Sequence, residues 1–178
     1  MLTRRQFAVT TATTTGSFGL QACSSSGESY DDAVQRTWRM GDIATLPPTE
    51  LQRELVRLAT LAPSSHNTQC WRFAIESPQR MAILPDLARR CPAVDPDDHH
   101  LYVSLGCAAE NLAQGALAYG LKAQAAFDAQ RDAIAIALEP TAAQSTPLYK
   151  AIAERQCTRG EYDGKPLSGN DLAALTWQ

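Results

Sequence analysis

Apolar positions recur along this chain in two rhythms. Leu51, Leu55, Leu58 and Ala62 repeat at three-to-four-residue spacing and stop at Pro63, which marks an amphipathic helix ended by a residue that cannot continue it. Ahead of it, Pro47-Pro48 leads into Thr49-Glu50-Leu51-Gln52, a hydroxyl followed three residues later by an amide, so a Thr49 cap is expected. Trp71 to Glu76 and Met81 to Leu84 read as strands, with Ser77-Pro78-Gln79 as the turn between them. The longest helical signal runs from Asp97 to Leu121, with Leu101, Leu105, Ala108, Leu112 and Tyr119 on its stripe and Gly120 as its stop. Gly106, Ala108, Ala109, Ala113, Gly115, Ala116 and Ala118 make that helix smooth enough for close approach, so it reads as the central buried helix. Ala123 to Ala129 and Ala133 to Leu138 add two strands, the second alternating Ile134 and Ile136 with small residues. Helices interleaved with strands imply an α+β domain of three layers or fewer.

Composition narrows the classes. A chain of 178 residues, 44% hydrophobic and with a net charge of −3, fits one globular domain and not a disordered or collagen-like protein. The slight acidity, and the lack of a Lys/Arg block interleaved with aromatics, argue against a nucleic-acid partner. Cysteines at 23, 70, 91, 107 and 157 show no paired CxxC spacing, so neither a zinc ribbon nor a disulfide framework is expected. Asp97-Asp98-His99-His100 carries metal-ligand chemistry, but adjacent histidines on a helix point in different directions. Capping of the helix by Asp97 or Asp98 at the positive end of its dipole accounts for the acids, and no metal site is expected.

Residues 1–28 are set apart from the fold. Thr3-Arg4-Arg5-Gln6-Phe7 resembles a twin-arginine export motif, and the weakly apolar run from Ala8 to Leu20 is too short and too hydroxylated to span a bilayer. Leu20-Gln21-Ala22-Cys23 resembles a lipobox, which would make Cys23 the lipidated first residue of the mature protein, although Gln21 departs from the favoured residues. Ser24 to Ser29 reads as a flexible tether. These resemblances imply a partnership with the twin-arginine translocase and a periplasmic or membrane-anchored destination.

The densest chemistry lies in Ala62-Pro63-Ser64-Ser65-His66-Asn67-Thr68-Gln69-Cys70-Trp71-Arg72-Phe73. A helix stops, small hydroxyl and amide side chains follow, and an aromatic strand begins. Such a corner gathers backbone N–H groups, hydroxyls and carboxamides, and an amide offers both donor and acceptor to the edge of a flat heteroaromatic ring. Read from the residues alone, it is equally a polar connector. The stretch resembles the APSxxNxQPW signature of the FMN-dependent nitroreductase family, with Cys70 where that family usually has proline. Leu105-Gly106, Glu110-Asn111-Leu112, Ala116 and Gly120-Leu121 are similar to the LGxxxENLxxxAxxxGL pattern of its central helix. The resemblance implies a nitroreductase-like α+β fold with FMN held by Pro63, Ser64, Ser65, Asn67 and Gln69.

The segment from Ala151 to Leu175 repeats the logic of Val34 to Leu58. Arg155-Gln156-Cys157-Thr158-Arg159 leads through Gly164-Lys165-Pro166 to Ser168, an N-cap with Asp171 three residues on, and a Leu172/Leu175 stripe begins. The earlier copy, Arg36-Thr37-Trp38-Arg39, lacks one residue between its arginines. Both resemble the RRSxR…F…PV…L opening of nitroreductases, the second with Cys157 in place of serine, and the whole looks like the fused, exported Acg-type branch. That resemblance implies residues 29–140 as a first repeat and 141–178 as a linker with a truncated start of a second. The chain is then an incomplete first half of a pseudo-dimer, whose site is completed by a second half or by a homodimer. It also places Arg155, Cys157 and Arg159 at the FMN phosphate; from the residues alone, the two arginines are as readily a solvated helix face.

The activity so implied carries electrons from NAD(P)H through the flavin to a nitroaromatic or quinone-type acceptor. No side chain stands out as a general acid or nucleophile, and Ser65 and His66 lack the elbow spacing of a hydrolase. Two alternatives share the same corner: a flavin-sequestering protein without turnover, and an inactive truncated gene product. A chain ending at Gln178 is expected to bind FMN poorly alone and to expose the helix around Gly106 and Gly115.

Overall fold

The computed structural model describes residues 29–41, 46–157 and 160–175. The export motif, Cys23, Thr158, Arg159 and Trp177 lie outside the described residues. The chain divides into two units, residues 1–36 and 37–178. In the first, Ser29 opens helix α1 (Tyr30–Thr37), its hydroxyl accepting from the Asp32 N–H at 3.1 Å.

The second unit is built on one antiparallel sheet. Strands β1 (Trp71–Ser77), β2 (Arg80–Pro85), β3 (Leu121–Asp128) and β4 (Ala133–Pro140) lie in the order β1-β2-β4-β3. The register aligns Phe73, Ile83, Ile134 and Phe127 across the four strands, and one step along it aligns Ala74, Ala82, Ala135 and Ala126. Neighbouring rows face opposite sides, so one face carries the bulky residues and the other a row of alanines.

Helix α3 (His99–Ala118) packs on the bulky face, and α2 (Pro48–Thr60) packs on α3. The resulting core joins Leu55, Trp71, Met81, Ile83, Leu105, Leu112, Ile136 and Leu138. Gly115 sets the closeness of the two helices: a Cβ there would lie 2.6 Å from Leu58 Cδ1 and 3.3 Å from Leu55 Cδ2. Helix α4 (Pro147–Glu154) also packs on α3, through Tyr149 and Ile152. Its cap is Thr146, whose hydroxyl accepts from the Tyr149 N–H at 2.9 Å and donates to Gln114 at 2.6 Å. The α5 helix (Gly169–Leu175) is exposed throughout, and its cap is reciprocal as expected: Ser168 Oγ accepts from Asp171 N–H and donates to its carboxylate at 2.6 Å.

Two expected caps are corrected. Helix α2 starts at Pro48, with Pro47 ahead of it and no side-chain cap, so Thr49 lies inside the first turn. Gln52, expected to close a capping box, is buried and donates its amide to the Ser77 carbonyl. At α3, Asp98 sits in the left-handed region at φ 59° and makes no cap; its carboxylate takes Arg90 at 2.7 Å. The capping carboxylate is Asp95, which accepts from the N–H groups of His100 and Leu101, both at 3.0 Å. The smooth helix is also only partly covered. Leu105 and Leu112 are buried and Leu117 half-buried, whereas a Cβ on Gly106 would meet nothing. No described helix is long and apolar enough to cross a membrane.

Candidate functional site

The corner between α2 and β1 is held from three sides. Helix α2 gives way at Leu61, Ser64 is extended, and Ser65–Asn67 form a single 3-10 turn. His66, Asn67 and Gln69 all take positive φ, at 50°, 53° and 52°. Asparagine and histidine tolerate that region better than glutamine does, and each such residue costs about 1 kcal/mol or more. The cost is sustained because hydrogen bonds over-determine the turn. Ser64 Oγ accepts from the Gln69 N–H at 2.9 Å, Ser65 N–H donates to Ser104 Oγ at 3.2 Å, and Arg89 Nη1 donates to the Thr68 carbonyl at 3.0 Å.

The carbonyls at the end of α2 are tied from elsewhere in the fold. Asn111 donates to the Leu58 carbonyl at 3.2 Å, and Arg155 Nη2 to the Leu61 carbonyl at 3.0 Å. The structure thus brings Arg155 to the residue just ahead of Ala62-Pro63. Its guanidinium is half-buried and engaged rather than solvated: Nη1 donates to Cys157 Sγ at 3.3 Å, and the group lies 6.0 Å from the Trp38 ring centroid. Nε is buried without a partner among the described residues. Cys157 is exposed beside it, and Arg159 lies outside the described residues.

Of the corner side chains, Pro63, Asn67 and Gln69 are exposed and Ser64 and Ser65 half-buried. The Ser64 hydroxyl is committed within the turn, with Thr68 Oγ1 at 3.4 Å as a second neighbour. The Asn67 and Gln69 carboxamides lie side by side, Gln69 Nε2 donating to Asn67 Oδ1 at 3.5 Å. Both therefore present amide groups to solvent from a fixed backbone, which is what recognition of a ring edge with donors and acceptors requires.

The sequence reading did not find three residues that fix the corner, Ser104, Arg89 and Asn111, nor the α3 cap, Asp95. Asn111 sits within a quoted motif, but its bond to Leu58 joins residues far apart in the chain. Burial pushes the Asp95 carboxyl up, yet the N–H groups of His100 and Leu101 and the His100 ring outweigh it and hold its pKa below the usual carboxylate range. Arg39 of the earlier copy is committed to buried Glu54 at 3.1 Å, alongside Arg57, whose Nη1 also donates to the Thr37 carbonyl at 2.6 Å. A second concavity, an open cleft of about 510 Å³, lies between α3 and β3, lined by Tyr102, Gly106, Glu110, Ala113, Ala123 and Phe127. Among the described residues, no cluster of three or more His, Cys, Asp or Glu could hold a metal ion.

No family model matches this chain. Over 138 residues it is 31% identical to proteins named NAD(P)H nitroreductase from two strains of Mycobacterium tuberculosis, a match covering 72% of this chain. A crystal structure titled as a nitroreductase family protein from Streptococcus pneumoniae superposes with a TM-score of 0.44 at 16% identity, covering 63% of this chain and 91% of that one. The chain is therefore similar in sequence to NAD(P)H nitroreductases, and it spans 39% of the length of the curated relatives it matches.

Proposed function

We propose that this chain carries the FMN-binding corner of a nitroreductase-like oxidoreductase that passes electrons from NAD(P)H to a nitroaromatic or quinone-type acceptor. The observation that carries the reading is the backbone from Ser64 to Gln69, where three non-glycine residues are held left-handed beneath two exposed carboxamides. The residues present fit a flavin: Asn67 and Gln69 offer amides to the ring edge, Ser65 offers a hydroxyl beside them, and Pro63 and Ser64 fix the turn. Arg155, Cys157 and Arg159 are the proposed phosphate contacts, completed by a second nitroreductase-like half or a second copy. Bound flavin would accept hydride and deliver electrons; the protein's part is to orient the ring and limit access to it.

The same reading includes export by the twin-arginine route and anchoring through a lipid on Cys23, supported by the patterns Thr3–Phe7 and Leu20–Cys23. A folded, cofactor-loaded protein has a physical reason to use a route that carries folded cargo.

Titration of FMN against the protein, followed by quenching of flavin fluorescence, tests the corner. Asn67→Ala is expected to weaken binding by about 1–3 kcal/mol, roughly 5- to 150-fold, because the opposing ring atoms lose their partner. Equal affinity in Asn67→Ala and the unmodified protein would remove the corner from the site.

A further inference from the structure

Strand β3 is one of the two edges of the sheet, and its ladder to β4 leaves a defined set of backbone groups unpaired. In an antiparallel ladder the N–H and C=O of one residue point to the same side, and the side alternates along the strand. Leu138 N–H donates to the Gln79 carbonyl at 2.9 Å, so Leu138 turns toward β2 and its neighbours on β4 turn toward β3. Thr141 N–H donates to the Gly120 carbonyl at 2.9 Å, and Pro140, which has no N–H, is aligned with Leu121. Counting in twos from Gly120, Lys122, Gln124, Ala126 and Asp128 bond to β4, whereas Leu121, Ala123, Ala125 and Phe127 turn outward. Among the described residues no strand lies on that side. The opposite edge, β1, is blunted by a register shift between Ile75 and Ser77, but β3 runs in unbroken register without a proline. An ion pair is available at its two ends. Glu139, beside Lys122 on β4, takes Gln124 at 2.9 Å, and Lys122 makes no ion pair among the described residues. Asp128 Oδ1 accepts from the N–H groups of Gln130 and Arg131 at 3.0 and 3.3 Å, which leaves Oδ2 for a cation.

We propose that β3 pairs antiparallel with β3 of a second copy of this chain, about a two-fold axis at Ala125, and joins the two sheets into one. This register sets Ala125 opposite Ala125, Ala123 opposite Phe127 and Lys122 opposite Asp128. Outward-turned residues then meet outward-turned residues, and each such pair exchanges two backbone hydrogen bonds. Lys122 and Asp128 fall at non-hydrogen-bonded positions, where facing side chains come closest, and opposite charges there are favourable. Charge selects this register over its neighbours. An axis at Gln124 sets Lys122 opposite Ala126, and an axis at Ala126 sets Asp128 opposite Gln124. Apolar surface is covered on the α3 side of the sheet. Phe127 is 60% exposed, and Ala123 lines the open cleft between α3 and β3. The pairing lays Phe127 of each copy beside Ala123 of the other, against that cleft. The pairing does not depend on what the corner binds, and its test involves no flavin.

The test is sedimentation of the full chain over a concentration series, together with amide hydrogen exchange resolved along residues 121–128. The expected result is a monomer–dimer equilibrium in which the Ala123, Ala125 and Phe127 amides gain protection as the concentration rises. Ala125→Pro removes an outward N–H and no bond to β4, so it should abolish the dimer while urea unfolding stays close to that of the unmodified chain. Lys122→Glu sets like charges opposite one another at both ends and should weaken the dimer about tenfold or more, whereas Lys122→Arg should retain it. If Ala125→Pro fails to fold, Lys122→Glu decides. A chain that stays monomeric at high micromolar concentration, a dimer that Lys122→Glu leaves intact, or concentration-dependent protection confined to other segments would each overturn the proposal.

Discussion

Replacing Glu54 with glutamine removes the charge at the centre of the most buried ionic cluster described in this chain. The Glu54 side chain is 7% exposed; Arg57 places Nε and Nη2 on its two oxygens, Arg39 adds a bond at 3.1 Å, and Tyr119 OH lies at 3.5 Å. The strap from Thr37 to Gly41 runs against the same cluster: a Cβ on Gly41 would collide with Tyr119 OH and Glu54 Oε1. Removing one partner of a buried pair costs about 3–5 kcal/mol, and a glutamine that keeps one acceptor for Arg57 puts the loss near 3 kcal/mol. Arg39, with its side chain 46% exposed, adds little of this. Burial pushes the Glu54 carboxyl up, but hydrogen bonds and charge from Arg57 and then Arg39 outweigh it, so its pKa lies below its ordinary 4.5. A depressed folded-state pKa stabilises the protein above pH 4.5 and ceases to as pH falls through the folded value. Urea unfolding should therefore show Glu54→Gln less stable by about 3 kcal/mol at pH 7, with the gap to the unmodified protein narrowing below pH 4.5. A loss under about 0.5 kcal/mol at pH 7, or a gap that widens in acid, would mean that the Glu54 charge does not hold this cluster together.

Other outcomes follow from the same geometry. Gly115→Leu should separate α2 from α3 and cost about 1–3 kcal/mol or more in thermal or urea unfolding, because Leu55 and Leu58 are fully buried with no room to yield; an unchanged stability would contradict the close contact. If Cys23 is the anchor, metabolic labelling with a palmitate analogue should tag the exported protein and vanish in Cys23→Ser, whereas label retained in that variant would dismiss the lipobox reading.

Much of the fold was legible because each element's burial is local and periodic. The stripes of Leu51/Leu55/Leu58 and Leu101/Leu105/Leu112 became α2 and α3, and all four strands appeared within a few residues of their expected ends. The caps were less legible. Asp95 caps α3 from beyond Pro96, and Asp98 is diverted to Arg90 by a left-handed backbone that no spacing rule reveals. At the corner, Ser64, Ser65, Asn67 and Gln69 announced themselves by residue type. Their support did not, because Ser104, Arg89, Asn111 and Arg155 reach it across the tertiary fold. Arg155 shows the difference most clearly. Sequence offered a phosphate ligand or a solvated arginine, and the structure adds a bond to the Leu61 carbonyl that neither reading contained.

Whether the corner from Ser64 to Gln69 serves flavin redox chemistry is read by anaerobic absorbance spectroscopy of the FMN-loaded full-length protein. NADPH or NADH should bleach the bound flavin, a quinone or nitroaromatic should restore its colour, and both steps should be faster than with the same concentration of free FMN. Bound flavin that never bleaches would mean sequestration without turnover, and failure to take up FMN at all would mean that the corner is not a flavin site.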